Sequence, residues 1–145
     1  MIEMQRTVST EASATAVFDY LSDFTNAEQW DPNAVAVKSL SGDGRVGTRY
    51  RVESKFAGRT TTLDYELTDL KPHSLIRLRG EKKSITAVDT ITVTEGRGRT
   101  DVTYAVAFDF NGVLGLFEPL LRFAVRRLFS DGAEGLTREL DRLTH

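Results

Sequence analysis

The sequence predicts an α+β domain in which a long C-terminal helix covers one face of a single antiparallel β-sheet. Apolar and polar residues alternate in successive runs between residues 48 and 110, as expected for half-buried strands. The turns between these runs are short, so consecutive strands pair as antiparallel neighbours. After residue 112 the apolar residues recur at the spacing of an amphipathic helix. The 145 residues suit one domain spanning the whole chain.

The N-terminal part predicts one strand and two short helices. Residues 2–9 have the weak alternation of a short first strand. Ser13 or Thr10 is placed to cap a following helix, in which apolar residues lie three to four positions apart. The run FTNAEQWDP indicates a second short helix. It ends before Pro32, because the residue preceding a proline disfavours the helical conformation.

From residue 34 the pattern changes to a period of two and predicts a meander of six strands. In each run, apolar and aromatic side chains mark one face, and charged residues or threonines mark the other. Their β-branched and aromatic content supports the assignment. The clearest runs span residues 48–56, 60–70, 75–80, 85–94 and 101–110.

The stretch SGDGRVGTRY places Gly42, Gly44 and Gly47 in the spacing G-x-G-x-x-G. In dinucleotide-binding loops this spacing follows a strand and opens a helix. Here a strand pattern follows Gly47, and the motifs that accompany the glycine-rich loop of protein kinases are absent. We therefore interpret the stretch as a hairpin turn whose glycines adopt positive φ.

The C-terminal pattern predicts a long helix with a broad apolar face near its start. Gly132 and Gly135 interrupt this pattern, and each glycine costs about 1 kcal/mol in a helix interior relative to alanine. Three explanations are open: close approach of another backbone, a kink, or two helices in place of one.

Composition excludes several kinds of function. The chain has no cysteine, which excludes disulfides and thiolate metal sites. The net charge of −2 disfavours nucleic-acid binding through phosphate neutralisation. His73 and His145 are the only histidines, so we expect no metal centre, no catalytic triad and no cofactor. The longest apolar segment is interrupted by charges and no signal peptide is recognised, so we expect no membrane insertion and a cytoplasmic location.

Four segments resemble the START-like superfamily, also called SRPBCC or helix-grip, and within it the polyketide cyclase/dehydrase and lipid-transport group. They are AVFDYLSDFTNAEQWDP, GDGRVGTRY, GRTDVTYAVAFDF and LLRFAVRRLFSDGAEGLTRELDRL. The resemblance implies the helix-grip fold, a curved sheet of six to seven antiparallel strands wrapped around the C-terminal helix. It also implies a ligand cavity between the sheet and that helix.

The candidate ligand-binding residues combine the inward strand faces, the aromatic start of the last helix and the family resemblance. The tyrosines could present hydroxyls to a ligand or pack as ordinary core, and Trp30 could form a cavity wall or a structural plug. The helical residues could line a cavity, pack as core or form a dimer interface. The complete set is Trp30, Tyr50, Tyr65, Asp89, Tyr104, Phe108, Phe117, Leu121 and Val125.

Asp89 is the candidate catalytic residue. It lies on the face that Ala87, Ile91 and Val93 mark as inward, where an unpaired carboxylate is costly. It is either a pocket acid with a raised pKa, or a residue turned outward by a bulge or paired with an arginine.

Three functions remain open from the sequence. The first is a carrier or sensor that binds a hydrophobic small molecule of lipid, polyketide or isoprenoid type. The second is an enzyme similar to aromatase/cyclases, with Asp89, Tyr104 and Tyr65 as proton-transfer groups. The third is a protein-interaction module with a filled cavity, and the chain is expected to be a monomer or homodimer.

Overall fold

The computed structural model describes residues 1–56 and 58–143, so His145 lies outside the described residues. The first half of the chain contains β1 (Ile2–Thr10), α1 (Ala14–Ser22), a 3₁₀ turn (Phe24–Asn26), α2 (Ala27–Trp30), β2 (Ala34–Ser41), β3 (Arg49–Phe56) and β4 (Arg59–Lys71). The second half contains β5 (Leu75–Lys82), β6 (Ile85–Glu95), β7 (Thr100–Phe110), a 3₁₀ segment (Gly112–Phe117) and α3 (Glu118–Arg142). This order confirms the predicted α+β helix-grip fold.

The strands form one seven-stranded antiparallel sheet in the order β1-β7-β6-β5-β4-β3-β2. Strands β2 to β7 are consecutive neighbours, and β1 closes the sheet beside β7. The register places Tyr50 opposite Tyr65 and Tyr65 opposite Gly80. Because side chains alternate between the two faces, this register aligns the inward residues of β3, β4 and β5 in one row.

Helix α1 begins after Ser13, whose hydroxyl oxygen accepts a hydrogen bond from the backbone N–H of Ala16 at 3.1 Å. Ser13 is therefore the cap, one of the two residues predicted for that role. The other, Thr10, ends β1 and is buried, and its hydroxyl donates to the carbonyl oxygen of Leu140 at 3.3 Å. Thr10 thus ties the first strand to the end of α3.

The glycine-rich stretch forms the turn between β2 and β3, as predicted. Gly42, Gly44 and Gly47 have φ values of 94°, 96° and 98°. A Cβ on Gly42 would stand 2.6 Å from the hydroxyl oxygen of Thr48, which itself accepts a hydrogen bond from the Gly44 N–H at 2.9 Å. Any larger residue at position 42 would displace this bond.

Helix α3 is one continuous helix, which removes the two-helix explanation for Gly132 and Gly135. From Val125 onward the helix is buried against the sheet and α2, through Val125, Phe129, Ala133, Leu136 and Leu140. At and just before the start of the helix, large apolar side chains are exposed: Leu116 79%, Phe117 50%, Leu120 69% and Phe123 68%. The sheet therefore grips α3 from Val125 to its C-terminal end. None of the helices in the described part of the chain is long and apolar enough to cross a membrane.

Candidate functional site

An inner cavity lies between the sheet and α3, with a volume of about 40 Å³. Its walls are mostly apolar, and three phenylalanines from β3 and β7 form one of them. The rings of Phe56, Phe108 and Phe110 are nearly parallel, with centroids 6.0–6.4 Å apart. Among the described residues, the lining consists of Ser54, Phe56, Thr61, Leu63, Tyr65, Ile85, Phe108, Phe110 and Leu128.

An outer cleft of about 570 Å³ adjoins the inner cavity. Phe56 and Leu128 line both spaces, so the boundary between the cavity and the cleft lies at these two residues. The cleft runs between the end of β3 and α3. Its lining is Asn33, Lys55, Phe56, Gly58, Phe123, Ala124, Arg127, Leu128 and Asp131.

The sizes of these spaces limit what the site holds as it stands. Pockets for organic ligands usually measure about 300–1,000 Å³. The inner cavity is well below this range, whereas the outer cleft falls within it. A ligand larger than a few atoms would therefore not fit within the inner cavity alone.

Tyr65 lies at the inner end of the cavity and is 8% exposed. Its ring lies across Gly80 on the neighbouring strand, where a Cβ would stand 2.8 Å from two ring carbons. Glycine at position 80 thus leaves the room that the ring occupies. Burial raises the pKa of Tyr65 well above its ordinary value, and the charge of Asp89 raises it further. Tyr65 therefore presents a protonated hydroxyl.

Asp89 points into the interior and is 7% exposed, so the outward alternative is wrong. Its carboxylate Oδ2 accepts a long hydrogen bond of 3.5 Å from the hydroxyl of Tyr104. Burial raises the pKa of Asp89 to about 7, and the charge of Asp31 adds to the rise, while the Tyr104 hydrogen bond opposes it. Among the described residues, no ion pair involves Asp89. Near neutral pH it can therefore both hold and release a proton.

Tyr104 is fixed by aromatic neighbours on two sides. Its ring meets that of Trp30 edge to face at a centroid distance of 5.4 Å and stacks on Phe129 at 5.3 Å. Trp30 is the last residue of α2 and is 2% exposed, so its side chain is packed within the core. This position agrees with the structural-plug interpretation of Trp30.

Asp31 is a site residue that the sequence reasoning missed. Its Oδ1 accepts a hydrogen bond from the backbone N–H of Asn33 at 3.0 Å, and burial raises its pKa to about 6. The charge of Asp131 contributes to this rise. The Asn33 side chain donates to Asp131 Oδ2 at 3.2 Å, which links Asp31 to the outer cleft. The sequence feature that could have identified Asp31 is its place directly after Trp30 in the run QWDP.

The predicted site residues fall into separate places. Tyr65 and Phe108 line the inner cavity, whereas Trp30, Asp89 and Tyr104 form a buried cluster beneath the second half of α3. The ring of Phe24 packs against the rings of Tyr50 and Tyr65, with centroid distances of 5.7 Å and 5.6 Å, respectively. The three predicted residues near the start of α3 line neither space: Val125 is fully buried, Leu121 is partly buried against the core, and Phe117 is half exposed.

Several cavity residues were recognised from the sequence only as inward-facing. Leu63, Ile85 and Phe110 belong to the apolar faces of their strands, and Leu128 belongs to the broad apolar face of the C-terminal helix. Alternation identified the face of each strand. The location of the cavity along each strand depends on how α3 crosses the sheet. No local sequence pattern encodes this crossing.

Metal binding finds no support in the described residues, where no group of three His, Asp or Glu side chains could hold an ion. The geometry instead combines an apolar cavity, a buried acid and buried tyrosines. Residues 1–141 match the family described as polyketide cyclase/dehydrase and lipid transport.

The chain belongs to this polyketide cyclase/dehydrase and lipid-transport family. Among solved structures, this family member is similar to the ZhuI aromatase/cyclase from Streptomyces sp. R1128, with 18% identity over 99% of this chain and 95% of the other and a TM-score of 0.83. It is also similar to a START superfamily protein from Mycobacterium smegmatis, with 16% identity over 97% and 98% and a TM-score of 0.80.

A third similar structure comes from Thermus thermophilus, with 15% identity over 97% of this chain and 95% of the other and a TM-score of 0.78. At these identities the likeness establishes the START-like fold. A comparison with curated protein sequences finds no significant match.

Proposed function

We propose that this polyketide cyclase/dehydrase family member binds a hydrophobic small molecule of lipid, polyketide or isoprenoid type between the sheet and α3, as a carrier or sensor. The observation that carries the proposal is the inner cavity, which stays unfilled although large apolar side chains form most of its lining. Apolar space within a core costs packing energy, and binding an apolar ligand recovers it. The adjoining cleft supplies an entrance.

Binding of an environment-sensitive apolar fluorophore, followed by titration, tests this proposal. Thr61 lines the cavity and Thr62 lies beside it on the opposite face of β4. Thr61→Leu fills the cavity, whereas Thr62→Leu adds the same atoms outside it. We expect Thr61→Leu to weaken binding at least about tenfold, and Thr62→Leu to leave it unchanged.

Equal binding by both variants and the unchanged protein would place the fluorophore elsewhere on the surface. In that case the carrier proposal fails, and a protein-interaction module is favoured. Native mass spectrometry of the freshly purified protein gives a second readout, because a carrier retains an apolar ligand that an interaction module lacks.

We also propose acid–base catalysis as a second candidate function, since a specific observation favours it. Asp89 is a buried acid with a pKa near neutrality, and its charge acts on Tyr65 at the inner end of the cavity. One of the similar solved structures is that of an aromatase/cyclase. As an enzyme, this protein would orient a reactive polyketide chain through Tyr65 in the cavity lining. Asp89 and Tyr104 lie outside that lining, so Asp89 would exchange a proton with the chain only where the cavity widens towards their cluster.

Turnover of a linear poly-β-ketone thioester analogue tests the enzyme. If the proposal is right, Asp89→Asn lowers kcat about 10²-fold or more while binding of the analogue persists. Unchanged kcat removes Asp89 as the acid–base group and leaves the carrier function alone.

The oligomeric state and the location stay predictions from the sequence: a monomer or homodimer in the cytoplasm, with no cofactor. Light scattering on the purified protein checks the first of these.

A further inference from the structure

Two cationic side chains lie at the outer cleft, beside its apolar residues. Lys55 comes from the end of β3, and Arg127 comes from α3. Each is exposed, and none of the ion pairs between described residues uses either of them. Their charges are therefore available to a ligand.

The surrounding charges are mainly positive. Arg126 is exposed on the same part of α3, and its guanidinium lies 5.9 Å from the ring centre of Phe123, which lines the cleft. Asp131 is the one carboxylate in the cleft lining among the described residues, and its Oδ2 accepts the hydrogen bond from Asn33. A second anion at the cleft therefore meets more positive than negative charge.

Apolar residues connect this charged opening to the interior. Phe56 follows Lys55 directly in the sequence, and Leu128 follows Arg127 directly. Phe56 and Leu128 line both the cleft and the inner cavity. Each cation is thus next in sequence to a residue at the boundary between the two spaces. A molecule that occupies both spaces has its inner part among phenylalanines and its outer part beside Lys55 and Arg127.

We infer that the ligand is an amphipathic anion whose apolar chain enters the inner cavity and whose carboxylate or phosphate group lies between Lys55 and Arg127. This inference rests on the proposed binding function and names its ligand class. The Arg127 guanidinium can donate two parallel hydrogen bonds to such a group, and the Lys55 ammonium adds a point charge.

Matched ligands test the inference by competition with the fluorophore. Lauric acid, lauryl phosphate and lauryl alcohol share one alkyl chain and differ in the head group. For the unchanged protein we expect both anions to bind about three- to tenfold more tightly than the alcohol at low salt. The preference shrinks at high salt, because screening weakens exposed charge interactions.

The double variant Lys55→Gln, Arg127→Gln removes the two cations. We expect it to bind all three ligands about equally, with affinity for the alcohol unchanged, which also shows that the variant is folded. The control is Lys38→Gln, Arg138→Gln, which makes the same change of charge at exposed positions outside the cleft and keeps the preference.

Two results would contradict the head-group inference, and a third would also contradict the binding function. If the unchanged protein binds the alcohol as tightly as the anions, or if the double variant keeps the preference, the head-group inference is wrong while the binding function stands. If none of the three ligands displaces the fluorophore, both the inference and the binding function fail. The tighter of the two anions identifies the head group.

Discussion

The backbone of Gly135 in α3 packs directly on the carbonyl oxygen of Trp30, the last residue of α2. A Cβ on Gly135 would overlap that oxygen and would stand 2.9 Å from the carbonyl carbon. Gly132, one helical turn earlier, is different, since a Cβ there would meet Asp31 and Tyr104 at an ordinary 3.7 Å. Close backbone packing therefore requires glycine at position 135, whereas position 132 has room for a Cβ.

Alanine substitutions at these glycines should change stability in opposite directions. Gly135→Ala forces α2 away from α3, and we expect it to lower the free energy of unfolding by about 3 kcal/mol. Gly132→Ala fits and gains helix propensity, so we expect an increase of up to about 1 kcal/mol. Urea unfolding followed by circular dichroism measures both. Similar losses at both positions would contradict the packing described.

The raised pKa of Asp89 predicts a pH-dependent stability. Its carboxyl has an ordinary pKa of 3.8 in the unfolded chain and about 7 in the folded protein. Between these values the folded state binds more protons, so the stability from Asp89 is complete below about pH 4 and declines as the pH rises to about 7. Asp89→Asn, which cannot ionise, should remove this decline.

The measurement is the difference in unfolding free energy between Asp89→Asn and the unchanged protein across that pH range. We expect the difference to move in favour of the variant as pH rises, by up to about 4 kcal/mol. Glu134→Gln, at an exposed position on α3, is the control for the loss of a carboxylate outside the buried cluster. A flat difference for Asp89→Asn would mean that its carboxyl titrates normally in the folded protein.

Two neighbours should move the pKa of Asp89 in opposite directions. Tyr104→Phe removes the hydrogen bond that stabilises the carboxylate, so we expect the pKa of Asp89 to rise. Asp31→Asn removes a nearby negative charge, so we expect that pKa to fall. Isotope-edited NMR of the Asp89 carboxyl gives the midpoint directly. If both variants shift the pKa of Asp89 in the same direction, either the Tyr104 hydrogen bond or the Asp31 charge does not act on Asp89 as described.

Gly80→Ala should disturb the inner end of the cavity. The added methyl group meets the ring of Tyr65 at 2.8 Å and displaces this ring, which lines the inner cavity. We expect a loss of about 1–3 kcal/mol of stability, together with weaker fluorophore binding. Gly96→Ala is the matched control, because its Cβ would lie 3.6 Å from its nearest neighbour. Normal fluorophore binding by Gly80→Ala would show that Tyr65 does not shape the cavity.

The sequence alone determined the order of elements, the inward face of each strand, and the turn at Gly42, Gly44 and Gly47. These features depend on local periodicity and on backbone conformations available mainly to glycine, and both are visible in a single stretch of chain. The burial of Asp89 also followed from its place on an apolar strand face. The same alternation marked Tyr65 and Phe108, which line the inner cavity.

The position of the cavity and the groups that adjoin it depend on contacts between elements that are distant in the sequence. Gly135 lets α3 pack onto Trp30, and the cleft with Lys55 and Arg127 lies where α3 passes the end of β3. The same packing brings Asp31 close enough for its charge to act on Asp89, 58 positions later in the sequence. Such contacts arise from the crossing of distant elements, and local sequence patterns carry no record of that crossing.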